Sequence, residues 1–140
     1  MASTSEPSPA TPISANDALD RDLERLAALC PAVEVLTDGS QIGVVVVGWE
    51  LPDGQYNLER TPLLLRTDTA YPASAMDMFW VDQGLTLADG RIPTGGESIE
   101  MHFGRPWRRY SWHRNTAWVP GRDDLVGHFE FCIARLQRAE

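Results

Sequence analysis

Apolar positions fall into two helical stripes with a block of short extended runs between them. Leu19, Leu23, Leu26, Ala27 and Cys30 recur at the spacing of one helical face. Asp17, Asp20, Asp22 and Glu24 crowd its first turns, where the helix dipole favours carboxylates. Ser14 or Asn16 can cap it, and Pro31 ends it. Leu125, Phe129, Cys132, Ile133 and Leu136 repeat the stripe and predict a closing helix over residues 121–138, with Asp123 and Asp124 in its first turn. Between the helices, residues 32–37 predict a strand, followed by a hairpin turn at Asp38-Gly39. Residues 41–48 form a second strand, and its unbroken Val44, Val45, Val46 and Val47 predict burial on both faces. Residues 62–68, opened by a proline, form a third, and residues 78–81 a fourth. Short links without helices make this an antiparallel meander. Residues 82–120 show little periodicity and read as irregular. The expected fold class is α+β: an N-terminal helix, a four-stranded antiparallel meander, an irregular segment and a C-terminal helix, with the helices on one sheet face. Residues 1–14 are rich in Ser, Pro and Thr and predict a disordered tail ahead of one domain spanning residues 15–140.

Charge narrows the function classes. The chain has 12 Lys+Arg, every one of them arginine, against 20 Asp+Glu. The absence of lysine fits a GC-rich codon bias. A net charge of −8 argues against a general nucleic-acid or anionic-membrane binder, both of which need excess cations. No apolar run is long enough to span a bilayer, and the first residues lack the basic head and apolar core of a secretory signal, so a cytoplasmic location is expected. Cys30 and Cys132 give no disulfide framework or metal-site spacing, and no metal or cofactor is expected.

The cations are not spread evenly. Arg105, Arg108, Arg109 and Arg114 lie among Trp107, Tyr110, Trp112 and Trp118. Tryptophan, tyrosine and arginine are the types enriched at binding hot spots. Trp107 and Trp118 are expected mostly in the core, with Arg108 and Arg109 mostly outward. Trp107, Arg108, Arg109 and Trp112 are the candidate partner-binding residues. Asp82, just past the fourth strand, is a turn residue and a further candidate to face a partner. His102 and His128 have no ligand-like neighbours, and His128 predicts a simple i,i+4 pair with Asp124.

The order of elements resembles the ubiquitin-conjugating fold, with Tyr71-Pro72 in the place of that fold's Tyr-Pro turn. Asp77-Met78-Phe79-Trp80, then Leu85 with Ala88-Asp89-Gly90 and Pro93, then Trp107 through Ser111 to His113, then Trp118 with Gly121 and Asp123 resemble more specifically the prokaryotic ubiquitin-conjugating-like family E. The layout covers roughly residues 16–138 and the specific motifs residues 71–124. The resemblance implies a component of a bacterial ubiquitin-like protein conjugation pathway, whose partners are a ubiquitin-like protein and its activating enzyme. Two features depart from the pattern: the later prolines of the Tyr-Pro turn and the His-Pro-Asn tripeptide are both missing.

The nucleophile is the largest departure. The usual conjugating cysteine follows the fourth strand in a Gly-x-x-Cys pattern, and the matching residues here are Gly90, Arg91, Ile92 and Pro93. Cys30 and Cys132 lie on the helical stripes and read as inert core residues. Catalysis, if present, then needs a noncanonical nucleophile. Thr94, Ser98 and Ser111 offer hydroxyls in the segment where the resemblance implies the site. A serine needs a base, and His113 shares a face with Ser111 in an extended stretch, so Ser111 and His113 are the candidate catalytic pair. The alternative is a catalytically inactive binding module with the same fold. The sequence leaves open whether the Tyr71-Pro72 bond is cis.

Overall fold

Asn16 caps the first helix: its side-chain oxygen accepts from the Leu19 N–H at 2.9 Å. The computed structural model describes residues 16–140, and the predicted tail lies outside the described residues. The elements run α1 (Asp17–Ala27), β1 (Val33–Asp38), β2 (Gln41–Glu50), β3 (Arg60–Asp68), β4 (Phe79–Val81), β5 (Ser98–His102), β6 (Arg105–Tyr110) and α2 (Leu125–Leu136). The strands form one six-stranded antiparallel sheet in the order β1-β2-β3-β4-β6-β5. This corrects the expected four-stranded meander. The first four strands do form a meander, but the supposedly irregular segment contributes the β5–β6 hairpin, which adds to the sheet through β6 beside β4.

The two sheet faces are covered differently. Leu19, Leu23 and Leu26 of α1 and Leu125, Phe129, Cys132 and Leu136 of α2 pack on Ile42, Val44, Val46, Leu63, Leu65, Phe79, Val81 and Tyr110. The opposite face carries a smaller cluster of Val45, Leu64, Trp80 and Trp107, with Leu36, Met78 and Phe103 packed against it. Phe103, in the β5–β6 turn, lies against Gly43 of β2, where an added Cβ would stand 2.6 Å from its ring. Only glycine admits this close approach. Burial of the valine run on both faces holds for Val44, Val45 and Val46. Val47 is 42% exposed, because the pairing of β2 with β3 slips between Val46 and Trp49.

Tyr71 joins the two helices. Its hydroxyl donates to Asp22 of α1 at 2.6 Å and accepts the Leu125 N–H, the first residue of α2, at 2.8 Å. Burial and the neighbouring Asp22 push the phenol's pKa far up, so it stays a donor. Trp118 donates to the carbonyl of Pro72 at 2.8 Å, and the Tyr71-Pro72 bond is cis.

Two further expectations change. The closing helix is shorter than predicted, since Asp124 caps it by accepting from Gly127 N–H at 2.8 Å and residues 121–123 precede it. His128 makes no side-chain pair with Asp124, whose carboxylate is taken by that cap and by Arg25 at 3.0 Å. His128 instead points into the protein and donates from Nε2 to the Met78 carbonyl at 2.9 Å. Among the described residues, no helix is long and apolar enough to cross a membrane.

Candidate functional site

The segment after β4 is shaped by a chain of turns. Asp82 accepts the Gly84 N–H at 2.8 Å, and Asp89 accepts the Arg91 N–H at 3.0 Å, so both act as turn residues. Residues 93–96 then make a β-turn closed by Gly96 N–H donating to the Pro93 carbonyl at 2.9 Å. Gly95 at φ +86° fills the position that a type II turn reserves for glycine. Pro93 is buried and Thr94 is exposed. Pro93 therefore faces inward, and the accessible group beside it is the Thr94 hydroxyl.

Arg108 and Ser111 hold this turn from β6 and just beyond. The expectation that Arg108 faces outward is corrected by the structure: it is 8% exposed, because it lies on the helix-facing side of β6. Its guanidinium donates to the carbonyls of Gly96 at 2.6 Å and Gln83 at 2.8 Å, bracing both ends of the segment. The Ser111 N–H donates to the Gly95 carbonyl at 2.9 Å. Ser111 thus lies beside the turn.

His113 is not brought to Ser111. Its Nδ1 meets the Asp77 carboxylate at 2.9 Å, while the Ser111 Oγ accepts from Arg109 Nε at 3.2 Å. No hydrogen bond joins the two among the described residues. The cysteines lie elsewhere. Cys132 is fully buried beside His128, and its thiol is raised well above the ordinary value by burial. Burial likewise pushes Cys30 up to about 11. Neither thiol is ionised near neutral pH.

The Trp/Arg segment divides between scaffold and surface. Trp107 is 1% exposed, donates to the His102 carbonyl at 3.1 Å and carries Arg105 over its ring at 4.3 Å. It belongs to the outer-face core, as expected, and offers a partner no free surface. Trp112 is half-buried, stacked on Phe131 of α2, with Arg135 and Arg138 at 5.1 and 5.2 Å from its ring. Arg109, half-buried, pairs with Glu100 at 2.6 Å. Glu100 also accepts from Trp80 Nε1 at 2.9 Å and His102 Nε2 at 2.8 Å. Desolvation pulls this carboxyl up, but those two hydrogen bonds and the Arg109 charge together hold it below its ordinary value.

Sequence reading missed exposed apolar side chains beside the turn and along β5. Ile92 is 45% exposed, Ile99 48% and Met101 65%. Ile92 precedes Pro93, and Ile99 pairs across the strands with Arg108, which holds Gly96. The alternation of Ile99 and Met101 with Ser98, Glu100 and His102 is the available signal for this strand.

A helix-covered antiparallel meander followed by a braced turn, with a second helix on the same sheet face, is consistent with the fold of E2, or ubiquitin-conjugating, proteins. The chain belongs to prokaryotic E2 family E, whose family model matches residues 18–139. Comparisons with curated proteins and with solved structures each found no match. Membership places the protein among components of prokaryotic E2-like conjugation systems.

Proposed function

We propose that this domain binds the ubiquitin-like protein of a prokaryotic conjugation pathway, its activating enzyme, or both, and does so without forming a thioester of its own. One observation carries the second half: Pro93, at the place of the usual thiol, is buried, and the turn it opens is held by Arg108 and Ser111. Family membership supports the pathway. The exposed Ile92 beside the turn, and Ile99 and Met101 on β5, supply apolar surface of the kind a partner covers. For Ser111 and His113 to act as nucleophile and base, the imidazole Nε2 would have to reach the serine hydroxyl, and no hydrogen bond joins the two among the described residues, where Asp77 holds Nδ1 and Arg109 donates to the serine. That supports the binding role over hydroxyl catalysis.

The test mixes the protein with a ubiquitin-like protein and an activating enzyme from the same source, and ATP. Intact mass and size-exclusion chromatography are then measured. The expected result is a stable complex with no added mass on this chain, weakened at least about ten-fold by Ile99→Asp or Met101→Asp. A reductant-sensitive adduct on Cys30 or Cys132 would overturn the reading, as would an alkali-sensitive one on Thr94 or Ser111.

A further inference from the structure

β5 is the last strand of the sheet, and β6 pairs with only one of its edges. The turn at Phe103 and Gly104, with φ of 53° and 80°, fixes which groups face the other edge. A two-residue turn of this kind closes on a hydrogen-bonded pair, here His102 with Arg105. Such pairs alternate along an antiparallel ladder. Glu100 and Ser98 are therefore bonded to β6, and the N–H and C=O groups of Ile99 and Met101 point to the open edge. Among the described residues, no backbone group of a loop or turn bonds to them.

The side chains agree with the backbone. Ile99 pairs across the strands with Arg108 and shares its helix-facing side with Met101, yet neither belongs to an apolar cluster. They are 48% and 65% exposed. The opposite edge of the sheet is different. In β1, Val33 and Val35 pack on the helix-side core and Leu36 on the outer cluster, while Glu34 and Asp38 are exposed. Charged side chains, prolines and bulges are the devices that keep an edge from pairing. β5 has no proline, and its register with β6 runs without a bulge. Its carboxylate, Glu100, is turned onto Arg109 at 2.6 Å and His102 at 2.8 Å.

We propose that the open edge of β5 pairs with β5 of a second copy of this chain, joining the two sheets into one. Only an extended strand satisfies a row of N–H and C=O groups. Two identical edges meet about a two-fold axis and so run antiparallel. With the axis at Glu100, Ile99 of each copy lies opposite Met101 of the other. Both positions hold outward main-chain groups, so both pairs exchange hydrogen bonds, and their apolar side chains cover one another. Ser98 lies opposite His102. Glu100 meets its own copy, where like charges ordinarily repel, but each carboxylate brings the Arg109 guanidinium with it. A second copy thus matches this edge in register, polarity and charge. The contact is small and the dimer correspondingly weak. Under the function proposed above, the pathway partner covers the same Ile99 and Met101, so copy and partner compete for them.

Sedimentation equilibrium of the chain alone tests this. A species of two chains should grow in above about 0.1 mM. It should strengthen as salt screens the net charge of −8 on each copy. Met101→Pro removes an N–H that faces the open edge and spares the bonds to β6, a change that edge strands tolerate. It should leave the chain as single copies. Cross-linking in a Cys30→Ser background reads the register. Glu100→Cys sets two thiols across from each other and should give a disulfide-linked pair under mild oxidation, whereas Ile99→Cys, facing Met101 of the copy, should not. This arm keeps the proposal testable if Met101→Pro fails to fold. A single species up to about 1 mM, a dimer unchanged by Met101→Pro, or equal cross-linking of Ile99→Cys would overturn the proposal. So would a chain that stays single while Met101→Pro weakens its complex with the pathway partners, since the edge then receives a foreign strand. A dimer with no pathway complex would leave the paired edge standing and remove the functional reading.

Discussion

Arg108 and Arg109 are neighbours in sequence and opposites in structure. Arg108 points to the helix-covered face, is 8% exposed, and spends its donors on two backbone carbonyls that shape the candidate site. Arg109 points to the outer face and joins Glu100, Trp80 and His102 in a half-exposed network. The same split separates the two sides of the sheet. On the helix side, Tyr71 is buried and fixed to particular partners, Asp22 and Leu125. On the outer side, charges lie over a small apolar cluster and stay within reach of water. Residue type alone does not distinguish scaffold from surface. The strand parity of each position does, because successive side chains alternate between faces. The consequence is energetic: a broken contact on the helix side leaves an unsatisfied buried group, whereas on the outer side water replaces it.

The largest test of that contrast is pH. Burial holds His128 down to about 4, opposed by its hydrogen bond to Met78 and aided by the nearby Arg114 charge. The unfolded chain has the ordinary histidine value, near 6.5. Between these values the unfolded state takes up a proton that the folded state refuses. Stability is therefore full above about 6.5 and falls as pH drops towards 4, by on the order of 3 kcal/mol. Urea unfolding across that window measures it, and His128→Gln should flatten the slope even if it lowers the plateau. A flat profile for the unaltered chain would mean that His128 is solvated and that the helix side is not so closed.

Next in size is Tyr71→Phe, which removes only an oxygen yet leaves Asp22 and the Leu125 N–H each short of a partner. We expect a loss of about 2–3 kcal/mol in urea unfolding. A loss below about 0.5 kcal/mol would show that Arg25, 3.0 Å from Asp22, already satisfies that carboxylate and that water reaches the helix junction.

What can be read from the sequence follows the same division. Both helices are visible because Leu19, Leu23 and Leu26, and Leu125, Phe129 and Leu136, repeat at helical spacing on a buried stripe. The first four strands are visible from their apolar runs, although β4 is shorter than predicted, since Met78 takes a left-handed φ of 58° and stays outside it. The β5–β6 hairpin is hidden for a physical reason. Its turn is Phe103-Gly104, with φ of 53° and 80°, where the usual Asn-Gly or Asp-Gly would have announced it. β6 itself reads Arg-Pro-Trp-Arg-Arg-Tyr, and one of its core-facing positions is the stem of Arg108. At the candidate site, the turn role of Asp82 can be anticipated from the sequence. The partner of His113 cannot, because Asp77 is 36 positions away and reaches it only through folding.

The smallest effect belongs to Glu100→Gln. The carboxylate serves Trp80, His102 and Arg109 at once, and on a residue count it would rank among the most connected side chains of the outer face. Yet the Glu100 and Arg109 side chains are each 30% exposed, and ion pairs open to solvent contribute about 0–1 kcal/mol. Glutamine keeps an acceptor for Trp80 and loses only the charge. The expected cost is therefore below about 1 kcal/mol near neutral pH, and it should shrink as salt is raised from low to about 0.5 M. The pH sign gives a second check. Because the folded carboxyl is held below its ordinary value, its contribution is present above that ordinary value and disappears as pH falls through the folded one. The difference between the unaltered chain and the Glu100→Gln variant should therefore vanish in acid. A salt-independent loss as large as that of Tyr71→Phe would show that the outer face is as closed to water as the helix side, and the distinction between Arg108 and Arg109 would fall with it.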